Sequence, residues 1–288
     1  TISLEWESYE NVTDSNIIIS ITKQTHKFGL SYINISTNKW ESAEFISFED
    51  LAKNLYKISP LEVVLDKKLF NDENIKNILE KKYSLNIYYY EFREDAYKKL
   101  TNHFKTKNLT WFWLEEKTEA IFASALLLSY LELNQKQSLS NLSSMWVMSF
   151  WDYLELDDST LKNLDIIYNF ATQSHTAGTL FWLLNKTKTS MWKRLLRENL
   201  LKPLKDKAKI DERLCFVQEF FNDKILLDKV RDKLTYVADI DIILNRLYLQ
   251  RSTPKDLLNL KKSLESILEI FEIINNSDNK KLKKLIWE

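Results

Sequence analysis

The sequence predicts two fold classes in succession: an α/β region over residues 1–107 and an all-α region over residues 117–288, joined by a link at 108–116. Three observations predict this. Short runs rich in Ile, Val, Tyr and Thr alternate with helix-spaced runs as far as Phe104, the pattern of a mixed sheet with helices on its faces. From Glu115 onward the strand signal nearly vanishes and apolar residues recur at helical spacing. A chain of 288 residues, 44% apolar, is long enough for one large domain or two ordinary ones.

In the first region, Asn16–Thr22 (NIIISIT), Phe28–Ile35 (FGLSYINI) and Trp40–Ile46 read as a three-stranded meander. Ser47–Tyr56 reads as a helix with Ser47 as its cap. Leu61–Leu65 (LEVVL) reads as a short buried strand. Asn71–Lys82 reads as a helix, Asn86–Phe92 as another strand and Arg93–Phe104 as a helix. In the second region Glu116–Asn134 is a long helix with a stripe through Ile121, Ala125, Leu128 and Leu131. Asp158–Phe170, Leu180–Asn185, Met191–Leu201, Ile210–Phe221, Lys224–Leu234, Asp239–Leu249 and Pro254–Asn275 continue the helical pattern. Asp206 precedes one start, and Ser252-Thr253-Pro254 sets a Thr cap before a proline at the first helical position. No heptad is sustained, so a packed helical domain is expected.

Composition narrows the function classes. The formal net charge is zero, so no global field draws the chain to nucleic acid or an acidic membrane. Cys215 is the lone cysteine, set in an apolar helical face, so no disulfide framework exists and a reducing cytoplasm is expected. No run of about 18 apolar residues and no signal-peptide pattern is present, so no membrane partner is expected. The chain begins at Thr1 without Met, which suggests a piece of a longer protein.

The segment Thr179–Asp206 carries the most information. An apolar helical start leads through a Lys/Thr turn into an amphipathic helix closed by Pro203. Its Thr187-Lys188-Thr189-Ser190-Met191-Trp192-Lys193-Arg194-Leu195-Leu196 resembles the T-x-T-x-M-G-x-R-L-L motif in the core (lever) region of the MutS family of DNA mismatch-repair proteins. Four further segments resemble that family in order and spacing: Leu109–Glu116 (LTWFWLEE), Ala123–Gln135 (ASALLLSYLELNQ), Asp152–Leu164 (DYLELDDSTLKNL) and Asp239–Ser263 (DIDIILNRLYLQRSTPKDLLNLKKS).

The resemblance implies a ribonuclease-H-like connector domain followed by the first part of a helical core domain. It implies a role rather than a reaction: coupling mismatched-DNA binding to an ATPase carried elsewhere, within a homodimer that recruits MutL. It also implies that ATP and Mg belong to that missing ATPase domain, with no cofactor in this segment. Carried over residue by residue, it puts Lys98 and Lys99, on the helix Asp95–Phe104, at the MutL-docking positions, and makes the link, with Trp111 and Trp113, the candidate hinge. Two other classes are weighed beside it. A free-standing adaptor without ATPase activity would lack a downstream P-loop. An active nuclease would need clustered Asp or Glu on adjacent strands, where Ile, Tyr, Ser and Asn are expected instead.

One departure from the family pattern is systematic. Trp111, Trp113 and Trp192 stand where the family carries glycine, and Trp151 resembles them. The chain holds nine tryptophans but only two glycines, Gly29 and Gly178, against about 20 at the usual roughly 7%. The largest side chain cannot serve a position of positive φ or close backbone approach. A gene in which UGA encodes glycine, read with UGA as tryptophan, would produce this pairing. An ordinary aromatic core accounts for Trp182 and Trp40.

The remaining chemical signals are weak. With two glycines the chain holds no P-loop, so this segment is not expected to be an enzyme. Phe92-Arg93-Glu94 spells the family's Phe-x-Glu but falls at a strand end, and it reads as coincidence. His26, His103 and His175 are dispersed and offer no zinc site. Glu115-Glu116 are helix neighbours that do not face one another, and Asp157-Asp158 reads as a cap with first-turn acid. The basic clusters Lys186–Lys188, Lys193–Arg197, Lys202–Lys209 and Lys280–Lys284 are interleaved with acids or leucines and read as solvated helix faces.

Overall fold

The computed structural model describes residues 16–134, 139, 142–148, 152–169, 178–277, 279 and 281–283. The chain divides into two compact units, Thr1–Met148 and Ser149–Glu288. Trp151 and His175 lie outside the described residues.

The first unit is built on a mixed sheet of six strands: β1 (Ile17–Thr22), β2 (Phe28–Asn34), β3 (Lys39–Phe45), β4 (Glu62–Leu65), β5 (Asn86–Tyr89) and β6 (Trp146–Val147), in the order β5-β4-β1-β2-β3-β6. The meander is antiparallel, with Ile19 opposite Tyr32 and Leu30 opposite Ala43. β4 joins β1 in parallel and β5 joins β4 in parallel. The first five strands thus have the ribonuclease-H-like arrangement. The two-residue β6 pairs with β3 at Glu41 and Ser42, and is too short to be legible as a strand.

Helices cover both faces. On one face Ile19, Ile21, Val63 and Leu65 pack with Leu51 and Leu55 of α1 (Phe48–Ile58), Leu69 of α2 (Lys67–Phe70) and Ile75 of α3 (Glu73–Asn77). Ser47 caps α1 as expected, accepting from the Asp50 N–H. The helix expected over 71–82 forms from Glu73, capped by Asp72, and passes without a break from α3 into a π-helical turn at Ile78–Lys82. The opposite face is covered by α4 (Ala96–Phe104) and α5 (Thr118–Asn134).

α5 corrects the expected domain boundary. It is buried along most of its length, at Ala120, Ile121, Ala123, Ala125, Leu126, Leu127, Leu128 and Leu131, and packs on Ile18, Ile33, Trp40 and Val64 of the sheet. A helix apolar all round belongs in a core rather than on an amphipathic surface. The division therefore falls after Met148 and not at 108–116, because α5 completes the core of the α/β unit. The helix lies this close because Gly29 sits beneath it: a Cβ there would stand 2.1 Å from the Glu119 carbonyl oxygen. Ser20 Oγ donates to the Ala123 carbonyl at 2.7 Å along the same seam.

The second unit is helical, with α6 (Asp158–Asn163), α7 (Leu180–Leu184), α8 (Ser190–Leu201), α9 (Lys207–Asn222), α10 (Lys224–Leu234), α11 (Ile240–Tyr248) and α12 (Pro254–Asn275). α6 is shorter than expected: it ends at Asn163, and Asp165 turns the chain with φ 45. Asp157, Asp206 and Thr253 cap the starts of α6, α9 and α12, and Thr253 forms a capping box with Asp256. Leu226, Val230, Ile270 and Ile274 form a core between α10 and α12, joined by Phe216 and Phe220 of α9.

Candidate docking helix, link and acid cluster

Asp95 caps α4, accepting from the Lys98 N–H at 3.1 Å. This start separates the two lysines of the expected docking site. Lys98 points outward, its side chain 79% exposed, with Asp95 at 3.9 Å. Lys99 is 19% exposed and bridges to Glu132 of α5 at 2.6 Å and to Glu94 at 3.5 Å. Burial alone would pull its ammonium down, but the carboxylates outweigh it and hold the group above its ordinary value. Lys99 therefore ties α4 to α5, and of the pair only Lys98 offers its charge to a partner. His103 is a packing residue: its Nε2 lies 2.8 Å from the Leu142 carbonyl oxygen, and its ring meets Trp40 edge-on.

The link lies inside the first unit. Leu109, Phe112 and Leu114 are buried, while Trp111 and Trp113 are 85% and 78% exposed. Glu115 accepts from the Leu109 N–H at 3.0 Å and from the Tyr97 hydroxyl at 2.8 Å, which ties the link to α4. A hinge at Trp111 and Trp113 would thus act within the α/β unit, not between the two units.

The strands carry more acid than expected: Glu41 and Glu44 on β3 and Glu62 on β4. Glu44 accepts from the Glu119 N–H at 2.8 Å and pairs with Lys27 at 3.1 Å. Glu41 pairs with Lys39 at 3.1 Å. Near the end of β1 two buried carboxylates hold the turn to β2. Glu119 accepts from the Gln24 and Thr25 N–H groups, and Asp66 from the Lys23 N–H at 3.1 Å. Burial pushes the Asp66 carboxyl up, against the pull of the Leu69 and Lys23 N–H groups. Glu44, Glu119 and Asp66 each hold backbone N–H groups, and Glu41 pairs with a lysine of its own strand. Glu62 is buried, and burial pushes its carboxyl up. Among the described residues no three His, Cys, Asp or Glu could hold a metal ion.

In the helical unit Thr189 caps α8, accepting from the Trp192 N–H at 3.2 Å, so the Thr-x-Thr motif is a helix start. Trp192 itself is 53% exposed. Arg194, one turn on, forks onto Asp239, the cap of α11, and reaches Asp241 at 2.9 Å. Arg246 then pairs at 3.1 Å with Asp256, whose carboxyl burial alone would raise but Thr253 and Arg246 hold below its ordinary value. Sequence alone did not reveal these two bridges; the available signal was the acids at helix starts, Asp239 and Asp256. Within the basic clusters, Lys202, at the end of α8, pairs with Glu198 at 3.5 Å, and the half-exposed Lys209 with Asp152 at 2.8 Å.

Comparison with known proteins follows the same division. Residues 16–143 match the model of MutS domain II, and residues 159–287 that of MutS domain III. The chain is 32% identical over 258 residues to the DNA mismatch repair protein MutS of Dehalococcoides mccartyi (strain CBDB1), covering 89% of this chain and 29% of that protein. The MutS proteins of Halothermothrix orenii and Treponema denticola are 31% and 32% identical, covering 94% and 90% of this chain and 31% of each relative. The chain thus spans about 30% of the length of the curated relatives it matches. With one domain model on each compact unit, in the family's order, the chain belongs to the MutS family of DNA mismatch-repair proteins and carries its domains II and III.

Proposed function

We propose that this chain is the connector and first part of the core of a MutS-type mismatch sensor, a non-catalytic segment that couples mismatched-DNA binding to an ATPase elsewhere in the protein. The observation that carries the reading is the coincidence of two family domains with two compact units over nearly the whole described chain. In this reading the full protein is a cytoplasmic homodimer. ATP and Mg bind outside this segment, and MutL docks in part on α4. Exposed Lys98 supports the docking role; Lys99 supports it indirectly, by fixing α4 against α5.

The test uses the full-length protein. Lys98→Glu is expected to weaken MutL binding while leaving mismatch binding and basal ATP hydrolysis unchanged. Lys99→Glu is expected to cost stability as well, because it sets a third carboxylate beside Glu132 and Glu94. Unchanged MutL affinity for Lys98→Glu would remove α4 from the docking surface. A mismatch-stimulated ATPase that survives deletion of residues 16–148 would remove the coupling role.

A further inference from the structure

We propose that residues 111 and 113, now held by exposed tryptophan, are glycine in the native protein, encoded by UGA, and that the native link closes its turn on glycine at 113. The strongest observation is backbone geometry. Residues 110–112 form a single 3₁₀ turn, and Trp113 follows it with φ 57 and ψ 30, in the left-handed region. The Trp113 N–H donates to the Thr110 carbonyl at 2.9 Å, and the Leu114 N–H reaches back to the Leu109 carbonyl at 3.4 Å. This is the bond pattern of a Schellman closure, complete with its apolar contact, since Leu109 and Leu114 are both fully buried. Trp113 occupies the position at which glycine is most favoured, because a Cβ there crowds the following carbonyl oxygen. For a bulky residue, positive φ is a true outlier.

Burial gives an independent line. Tryptophan earns its place in a fold by covering a large area. Of the six tryptophans among the described residues, only Trp40 does so: it is 1% exposed, and its Nε1–H donates to Ser31 Oγ at 2.8 Å. Trp111 and Trp113 are the two most exposed of the other five, and they flank a Phe112 that is buried. Two tryptophans facing solvent around one buried ring contribute almost nothing to the core. The composition supplies the third line: a shortage of glycine together with an excess of tryptophan. The sole standard tryptophan codon, UGG, differs from UGA in one base, so a code that reads UGA as glycine would convert one residue into the other wherever UGA stands and leave UGG positions as tryptophan.

The experiment is peptide mass spectrometry on the protein from its native source, read against the codons of its gene. The tryptic peptide Asn108–Lys117 is expected to be lighter by two tryptophan-to-glycine replacements, with UGA at codons 111 and 113 and UGG at codon 40. Tryptophan mass in that peptide, or UGG at codons 111 and 113, would overturn the proposal. A second measurement separates backbone from side chain in recombinant protein. Trp113→Gly is expected to raise the folded-to-unfolded ratio roughly two- to fivefold above Trp113→Ala, because only glycine relieves the left-handed penalty after its own entropy cost. Equal stability of those two variants would show that the turn does not call for glycine, and would count against the proposal.

Discussion

Replacing Gly29 with alanine would test how the first unit is assembled. A Cβ on Gly29 would lie 2.1 Å from the Glu119 carbonyl oxygen, 2.6 Å from its carbon and 2.7 Å from Thr22 Oγ1. Two of these atoms are backbone of α5, so no rotamer change relieves the contact. Ordinary contact is about 3.5 Å, so the start of α5 must retreat by more than roughly 1 Å. Overpacking of this kind costs about 1–3 kcal/mol. The retreat also stretches the bonds that seat α5 on the sheet: Ser20 Oγ to the Ala123 carbonyl, and the Gln24 and Thr25 N–H groups to the Glu119 carboxylate. Leaving one or two of these groups buried and unpaired adds about 1–3 kcal/mol each. The expected loss is about 3–5 kcal/mol, a large share of an ordinary domain's roughly 5–15 kcal/mol. Urea unfolding followed by the loss of amide hydrogen-exchange protection in β1, β2 and α5 reports on this unit. Gly178→Ala is the control: φ is 87, but the nearest atom is a side-chain nitrogen of Asn169 at 3.1 Å, so only the backbone penalty of about 1 kcal/mol applies. A Gly29→Ala protein within about 0.5 kcal/mol of the parent would refute the close approach of α5.

Three further outcomes follow from the same contacts. Arg194→Ala should cost about 2 kcal/mol of the helical unit's stability, and a cycle with Asp239→Asn, which keeps the cap on α11, should show coupling near 1 kcal/mol by urea titration; additive losses would mean the fork holds nothing. Thr189→Ala should cost about 1 kcal/mol through loss of the α8 cap, and a melting temperature equal to the parent's would argue against that role. Burial raises the Glu62 carboxyl above its ordinary value, so the parent loses stability as pH rises through that raised value. Glu62→Gln should therefore gain on the parent between pH 4 and pH 7 in paired thermal melts. A difference that stays constant or shrinks as pH rises would show that Glu62 is not ionised at a cost.

Much of this was legible from local chemistry. The meander strands, and the caps at Ser47, Asp157, Asp206 and Thr253, are fixed by side-chain type and near neighbours, and all of them form. What escaped depends on partners distant in sequence. Gly29 reads as a weak spot in a strand until α5, some 90 residues later, is laid across it. Glu62 hides in an apolar run, and the short β6 exists only because β3 is there to receive it. The unit boundary escapes the sequence because the stripe through Ile121, Ala125, Leu128 and Leu131 suggests a one-sided helix, whereas the apolar residues of α5 surround it. Of the expected site, nothing local distinguishes Lys98 from Lys99; their difference is set by Glu132, 33 residues away.

These ties also bear on the coupling role proposed for the first unit. α4 is joined to α5 near its end by Lys99 and Glu132, and to the link by Tyr97 and Glu115. At its other end α5 holds the β1–β2 turn through Glu119. A helix of 17 residues spans about 25 Å, so one stiff element connects the candidate docking helix to the far end of the sheet. Coupling between sites requires an element with two arrangements. A close-packed seam with Gly29 against the helix backbone offers α5 no second seat on the sheet. In the coupling role proposed above, the first unit would therefore move as one body, and a partner docked at Lys98 would displace the whole unit rather than rearrange it internally.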